Sequence, residues 1–180
     1  MNIKEEFNVK IKDEVMDSLG ITNVLKVPIL SKIVINSGVG DAVSSSDNLD
    51  IVEDIISKIS GRKPIRTKAK ASISNFHIRE GMYIGVKVTL RGDIMWNFYE
   101  KLVTIAIPRF RDFRGLDRGS FDGHGNYTLG IKDHTVFPEV AQTYIDRIKS
   151  LQITITTTAN NNKEAEILLG KLNFPLVRIK

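Results

Sequence analysis

There is no cysteine in the 180 residues. That excludes a disulfide scaffold, a cysteine-ligated zinc site, an iron–sulfur cluster and a thiol nucleophile. The three histidines, His77, His124 and His134, fall at no metal-ligand spacing, so no metal is expected. No run approaches the roughly 18 apolar residues of a membrane-spanning helix. The opening Met1-Asn2-Ile3-Lys4-Glu5-Glu6-Phe7 lacks a basic stretch followed by an apolar one. A signal peptide is therefore not expected, and a cytosolic protein with no membrane partner is. Glycine motifs are incomplete. Gly38-Val39-Gly40 and Gly123-His124-Gly125 both lack the third glycine of a dinucleotide fingerprint, and no Walker A sequence occurs. No nucleophile, base and orienting group fall together, and Asp122 with His124 reads as a local turn pair. Nothing here supports an enzyme or a cofactor.

What is present is an ordinary globular composition, 42% hydrophobic and 26% charged. A chain of this length buries about 70% of its unfolded surface, so a core needs no staple. The length suits one domain, 1–180, with an N-terminal helix over about 3–19 and a basic loop arm over about 69–82. The net charge of +5 is unevenly spread. Residues 1–61 carry 6 basic and 10 acidic side chains, residues 62–118 carry 13 and 5, and residues 119–180 carry 7 and 6. A strongly basic middle third suggests a face for a polyanion. A solvated surface, or a module for an acidic protein, also fits charge alone.

Periodicity organises the chain. Residues 3–19 have the pattern of an amphipathic helix ended by Gly20, and 31–37 form a β-branched strand. After Ser44-Ser45-Ser46 and Asp47, the residues Leu49, Val52, Ile55, Ile56 and Ile59 recur at helical spacing up to Gly61. A short strand follows at 65–69 and a cleanly alternating one at 84–91. Asp93 is expected to cap a helix bearing Ile94, Trp96, Phe98, Leu102, Val103 and Ile105 up to Pro108. Strands follow at 127–131 and 151–158. Asn160-Asn161-Asn162 introduces a last helix at 163–172. This order predicts an α+β fold: a mostly antiparallel sheet of split β-α-β (ferredoxin-like) character, with helices on one face and the other face free.

Alternation then assigns the faces. Lys32 and Asn36 lie opposite Ile33 and Ile35. Lys87, Thr89 and Arg91 lie opposite Val86, Val88 and Leu90. Gln152, Thr154, Thr156 and Thr158 lie opposite Leu151, Ile153 and Ile155. The free face is thus cations, amides and hydroxyls, suited to phosphates, sugar hydroxyls and base edges. No aromatic residue is expected on it, which favours folded RNA over base-stacked single strands. Two basic loops flank these strands. One holds Arg62, Lys63, Arg66, Lys68, Lys70, His77 and Arg79, with Ser72, Ser74 and Asn75 keeping it small and mobile. The other holds Arg109, Arg111, Arg114 and Arg118 among Phe110, Phe113 and Phe121, whose rings read as core anchors.

Several stretches then converge. Ile35-Asn36-Ser37-Gly38-Val39-Gly40, Gly61-Arg62-Lys63-Pro64, Lys87-Val88-Thr89-Leu90-Arg91-Gly92, Pro108-Arg109-Phe110-Arg111-Asp112-Phe113-Arg114-Gly115, Phe121-Asp122-Gly123-His124-Gly125-Asn126-Tyr127 and Ile153-Thr154-Ile155-Thr156-Thr157-Thr158 stand in a telling order and spacing. They resemble the bacterial form of the large-subunit ribosomal protein family numbered five, over nearly the whole chain. The resemblance implies a structural protein of the cytoplasmic ribosome that binds 5S rRNA and helps attach it in the central protuberance. It also implies contacts with 23S rRNA, P-site tRNA, small-subunit ribosomal protein thirteen and other 5S-rRNA-associated large-subunit proteins. Its rRNA contacts would fall on Asn36, Thr89 and Arg91 first, then on Arg62, Lys63, Lys32, Arg66, Lys68, Lys87, Thr154 and Thr156. The arm approaching tRNA would be Lys70, Ser72, Ser74, Asn75, His77 and Arg79. The intersubunit bridge would use Arg109, Arg111 and Arg114. Some positions depart from the family pattern. Arg62 stands where glutamine is frequent, His124 where arginine is frequent, and Ala71 and His77 where basic residues are frequent.

Overall fold

The computed structural model describes residues 3–40, 47–111, 113–142, 144 and 147–177. Its main helices are α1 (Ile3–Glu6), α2 (Lys12–Leu19), α3 (Asp47–Ser60), α4 (Gly92–Lys101) and α5 (Asn162–Lys171). Its strands are β1 (Leu30–Gly38), β2 (Ile65–Lys68), β3 (Tyr83–Leu90), β4 (Tyr127–Ile131) and β5 (Leu151–Thr157). They form an antiparallel sheet in the order β2-β3-β1-β5-β4. β3 thus lies between β1 and β2, which α3 connects. That is the split β-α-β arrangement, and the α+β class matches the sequence expectation. The chain divides into two compact units. One comprises Met1–Ile33, Arg91–Leu129 and Thr154–Lys180; the other comprises Val34–Leu90 and Gly130–Ile153.

In the second unit α3 buries Leu49, Val52, Ile55, Ile56 and Ile59, the expected stripe, and Gly61 stops it with φ 64°. The serines 44–46 lie outside the described residues. The face that α3 covers follows from one side chain. Arg66 pairs across the ladder with Val86. Its guanidinium donates to Glu53 Oε2 at 2.7 Å and to Asp50 Oδ1 at 2.5 Å, both on α3. The Val86 side of β3 therefore faces α3, and Val86, Val88 and Leu90 are buried there. Lys87 and Thr89 occupy the opposite, exposed side. Gly85 shares that row. A Cβ there would lie 2.8 Å from Thr67 Oγ1 and 2.9 Å from the Ser37 carbonyl, so a side chain would push the neighbouring strands off β3. His134 is fully buried, and its Nδ1 accepts the Lys149 backbone N–H at 3.2 Å.

In the first unit Ile3–Leu19 is helical throughout, but Phe7–Ile11 forms a wider π-helical turn. Ile3, Phe7, Ile11, Val15 and Leu19 recur every fourth residue. In a pure α-helix such a row drifts by about 40° per step, and the wider turn offsets that drift. Phe7, Ile11 and Val15 are buried, with the Phe7 ring 5.2 Å from that of Trp96. Gly20, at φ 62°, ends the helix as expected. Asp93 is not the cap of α4. Arg91 holds the cap position, and Asp93 in the first turn accepts the Lys4 ammonium. Ile105 is 41% exposed rather than core; Met95, Tyr99 and Ala106 supply the buried positions instead. Tyr99, Phe174, Tyr127 and Phe121 form a chain of ring contacts. Burial pushes the Tyr99 phenol far up, and its hydroxyl donates to the Leu172 carbonyl at 3.2 Å.

Of the three loop phenylalanines only Phe121 joins this cluster. Phe110 and Phe113 meet each other edge-on, and Phe113 is 36% exposed. Arg118 pairs with Glu166, and its Nε donates to the Val177 carbonyl at 2.9 Å. The adjoining Leu116 exchanges backbone hydrogen bonds with Pro175 and Val177. The loop after α4 is thereby tied to the C-terminal segment.

Asp122 and His124 form a turn. The Asp122 carboxylate accepts the His124 N–H at 2.8 Å, the Asn126 N–H at 3.0 Å and the Asn126 side-chain amide at 2.6 Å. The last of these chiefly holds the Asp122 carboxyl below its usual range. A lowered native pKa stabilises the fold above the unfolded pKa, about 3.9, and that contribution disappears as pH falls through the native value. The stability difference between wild type and Asp122→Asn is therefore expected to be constant above about pH 5 and to shrink below about pH 4. Urea midpoints measured across that range check this; a difference unchanged down to about pH 3 would contradict it.

Candidate nucleic-acid interface

The α3-free side of the second unit carries Lys87 and Thr89, both exposed, and Asn36, half-buried on β1. Lys87 stands opposite Ile65, and Thr67 opposite Gly85. Arg62 and Lys63 are exposed just before β2. Lys63 borders an open depression shared with Asp50, Glu53, Asp54, Ser57, Pro64 and Arg66, on the α3 side. Arg66 belongs to that side too. Its charge is met by two carboxylates, which hold its pKa above even the usual guanidinium value. A strand as short as β2 shows too little alternation to sort its faces, so in the sequence Arg66 reads simply as part of a basic run.

The open side is also less uniformly polar than expected. Val34 stands half-buried between Lys32 and Asn36. Ile65 is 66% exposed on β2. The strand that periodicity begins at residue 84 begins instead at Tyr83, whose ring is 46% exposed. Lys68 lies with its Nζ over that ring, 5.3 Å from the centroid.

The basic arm is an ordered hairpin rather than a loose loop. Ile73 and Ile78 exchange backbone hydrogen bonds of 2.8 and 3.1 Å around a 3-10 turn, Ser74–Phe76, with His77 left-handed at φ 54°. Ala69 pairs with Met82 and Gly81, and the Ser72 hydroxyl accepts the Glu80 N–H at 2.9 Å. Lys70, Ser72, Ser74, Asn75, His77 and Arg79 are all exposed or nearly so along it. So is Phe76 at the tip, which charge counting passes over.

In the first unit Arg91 is exposed at the start of α4, and Lys32, Thr154 and Thr156 are half-buried. The Thr154 and Thr128 hydroxyls are hydrogen-bonded at 3.3 Å. Arg109 ends a 3-10 turn (Ile107–Arg109), and Arg111 and Arg114 follow it, all three exposed; Asp112 lies outside the described residues. Among the described residues no helix is long and apolar enough to cross a membrane, and no acidic or histidine cluster could hold a metal.

Two family models cover most of the chain. Residues 23–79 match that of ribosomal protein L5, and residues 83–176 that of the C-terminus of the same ribosomal family. The large ribosomal subunit protein uL5 of Acholeplasma laidlawii is 49% identical over 172 residues, spanning 96% of each chain. That of Lactococcus lactis subsp. cremoris is 46% identical over 176 residues, spanning 98% of each.

The chain belongs to the ribosomal protein L5 family. It is accordingly an RNA-binding structural protein of the large ribosomal subunit, at work in translation in the cytoplasm, and not an enzyme.

Proposed function

We propose that this chain binds 5S rRNA on its open strand faces and attaches it to 23S rRNA in the central protuberance, beside other 5S-rRNA-associated proteins. The observation that carries this reading is the sorting of charge across β2 and β3. The acids of α3 are met by Arg66 on one side, while Lys87 and Thr89 stand exposed on the other. A face of cations, hydroxyls and amides without carboxylates suits a folded RNA: phosphate contacts fix position, and the short polar groups read sugars and base edges. Asn36, Thr89 and Arg91 are the first contacts, with Arg62, Lys63, Lys32, Lys87, Thr154 and Thr156 adding to them. Arg66 serves instead to hold α3 to β2. The hairpin arm, from Lys70 to Arg79, reaches P-site tRNA. The loop bearing Arg109, Arg111 and Arg114 meets small-subunit protein thirteen.

Arg91 offers a clean test because it is exposed and its removal leaves no cavity. Arg91→Ala is expected to weaken 5S rRNA binding and to lower the slope of log affinity against log salt by about 0.7–0.9, one counterion's worth. Filter binding at several salt concentrations measures both. Unchanged affinity and slope would remove Arg91 from the interface.

A further inference from the structure

The ladder between β2 and β3 contains one irregularity, and it falls beside the exposed aromatic ring. From Ile65 to Thr67 the pairing is regular: Ile65 with Lys87, Arg66 with Val86, Thr67 with Gly85. One more regular step would pair Lys68 with Ile84. The register instead shifts between Thr67 and Lys68, and Lys68 pairs with Tyr83. Bulges re-aim side chains in this way. Here the extra residue is on β3, at Ile84, so that Tyr83 comes opposite Lys68, whose ammonium lies over the Tyr83 ring. Ile65 and Lys87, further along the two strands, are exposed as well. An exposed aromatic ring with a cation above it is a combination that nucleobases and their phosphates fit. Every base has a π-face, so stacking on such a ring needs no hydrogen-bond match. A lysine over the ring adds cation–π attraction and a partner for the adjoining phosphate.

We propose that Tyr83 is a base-stacking platform, with Lys68 as its phosphate partner, and that it takes an unpaired or terminal nucleobase of the bound RNA. This rests on the reading of the chain as an rRNA-binding protein and adds to it a contact of a different kind. Cations and hydroxyls hold the backbone; Tyr83 holds a base that is out of its helix. The bulge is what permits it, because a regular ladder would leave Tyr83 without its lysine.

Stacking and charge separate experimentally, since stacking releases no counterions. With the full chain and 5S rRNA, Tyr83→Ala is expected to weaken binding by about five- to a hundredfold with the salt slope unchanged. Tyr83→Phe keeps the ring and stays within about twofold; Tyr83→Leu keeps apolar bulk without a ring and falls with alanine. Lys68→Ala lowers the slope by about 0.7–0.9. Tyr83→Trp supplies a spectroscopic check: its fluorescence is quenched on RNA addition, whereas the buried Trp96 of the wild type does not respond. Tyr83→Ala and Tyr83→Leu binding as tightly as wild type would overturn the proposal while leaving the rRNA reading intact. So would an alanine loss that came with a lowered slope, because the ring would then only be holding the lysine. Failure of the wild type to bind would overturn both.

Discussion

Alanine in place of Gly125 is expected to lower the unfolding free energy by about 3 kcal/mol, a large part of the roughly 5–15 kcal/mol typical of a domain. Two effects combine. Gly125 has φ 79°, where a Cβ costs about 1–2 kcal/mol. The added carbon would also lie 2.9 Å from Ala159 Cβ, 3.0 Å from the Ala159 carbonyl and 3.2 Å from the Asn161 carbonyl. The loop cannot easily move aside. Gly125 N–H donates to Asn162 Oδ1 at 3.2 Å, the Thr157 hydroxyl donates to the Gly125 carbonyl at 2.7 Å, and Gly123 N–H shares the same Asn162 oxygen at 3.0 Å. Overpacking against a fixed backbone costs about 1–3 kcal/mol. Two controls separate strain from crowding. Gly123, at φ 92°, has open space at its Cβ, so Gly123→Ala should show the strain alone. Gly130 has neither problem, and Gly130→Ala should be neutral or stabilising by up to about 1 kcal/mol. Denaturant midpoints give the ranking; a Gly125→Ala cost no larger than that of Gly123→Ala would contradict the crowding argument.

Removing three exposed cations from the second unit, Arg62, Lys68 and Lys87, is expected to reduce 5S rRNA affinity about a hundredfold near physiological salt. Each phosphate contact carries a slope of about 0.7–0.9 in log affinity against log salt, which amounts to roughly fivefold per contact at about 0.15 M. Three contacts multiply to about a hundredfold and flatten the slope by about 2–3. Arg66→Ala is the informative counterpart. It removes a guanidinium already engaged by Asp50 and Glu53. It should leave the slope unchanged and lower stability instead, by separating β2 from α3. Equal slopes for the triple variant and Arg66→Ala would contradict the assignment of faces. Salt titrations of binding together with denaturant unfolding measure both quantities.

Much of the fold is legible in the residues because its signals are local. The Leu49–Ile59 stripe and the Val86–Leu90 alternation each follow from the periodicity of their own element. Asn161, accepting the Glu164 N–H at 2.9 Å, caps α5 as the asparagine run suggests. Asp122 and His124 form the turn that their spacing implies. What is not legible depends on partners distant in sequence or on register. Arg66 looks like its basic neighbours until α3 brings Asp50 and Glu53 to it. Tyr83 comes opposite Lys68 only through the extra residue at Ile84, which depends on register. The arm's small residues suggest mobility, yet Ile73 and Ile78 close a hairpin whose cross-strand bonds no local pattern announces. The four-residue row from Ile3 to Leu19 does hold a usable signal, since it fits a widened turn better than a uniform α-helix.

The most direct measurement is binding of the purified chain to 5S rRNA at about 0.15 M salt, where exposed charges are screened within about 8 Å. An unrelated structured RNA of equal length serves as competitor. 5S rRNA is expected to be bound in preference, with the competitor displacing it only at large excess. Equal and steeply salt-dependent binding of both RNAs would contradict it, leaving a generic basic surface in place of a specific 5S rRNA site.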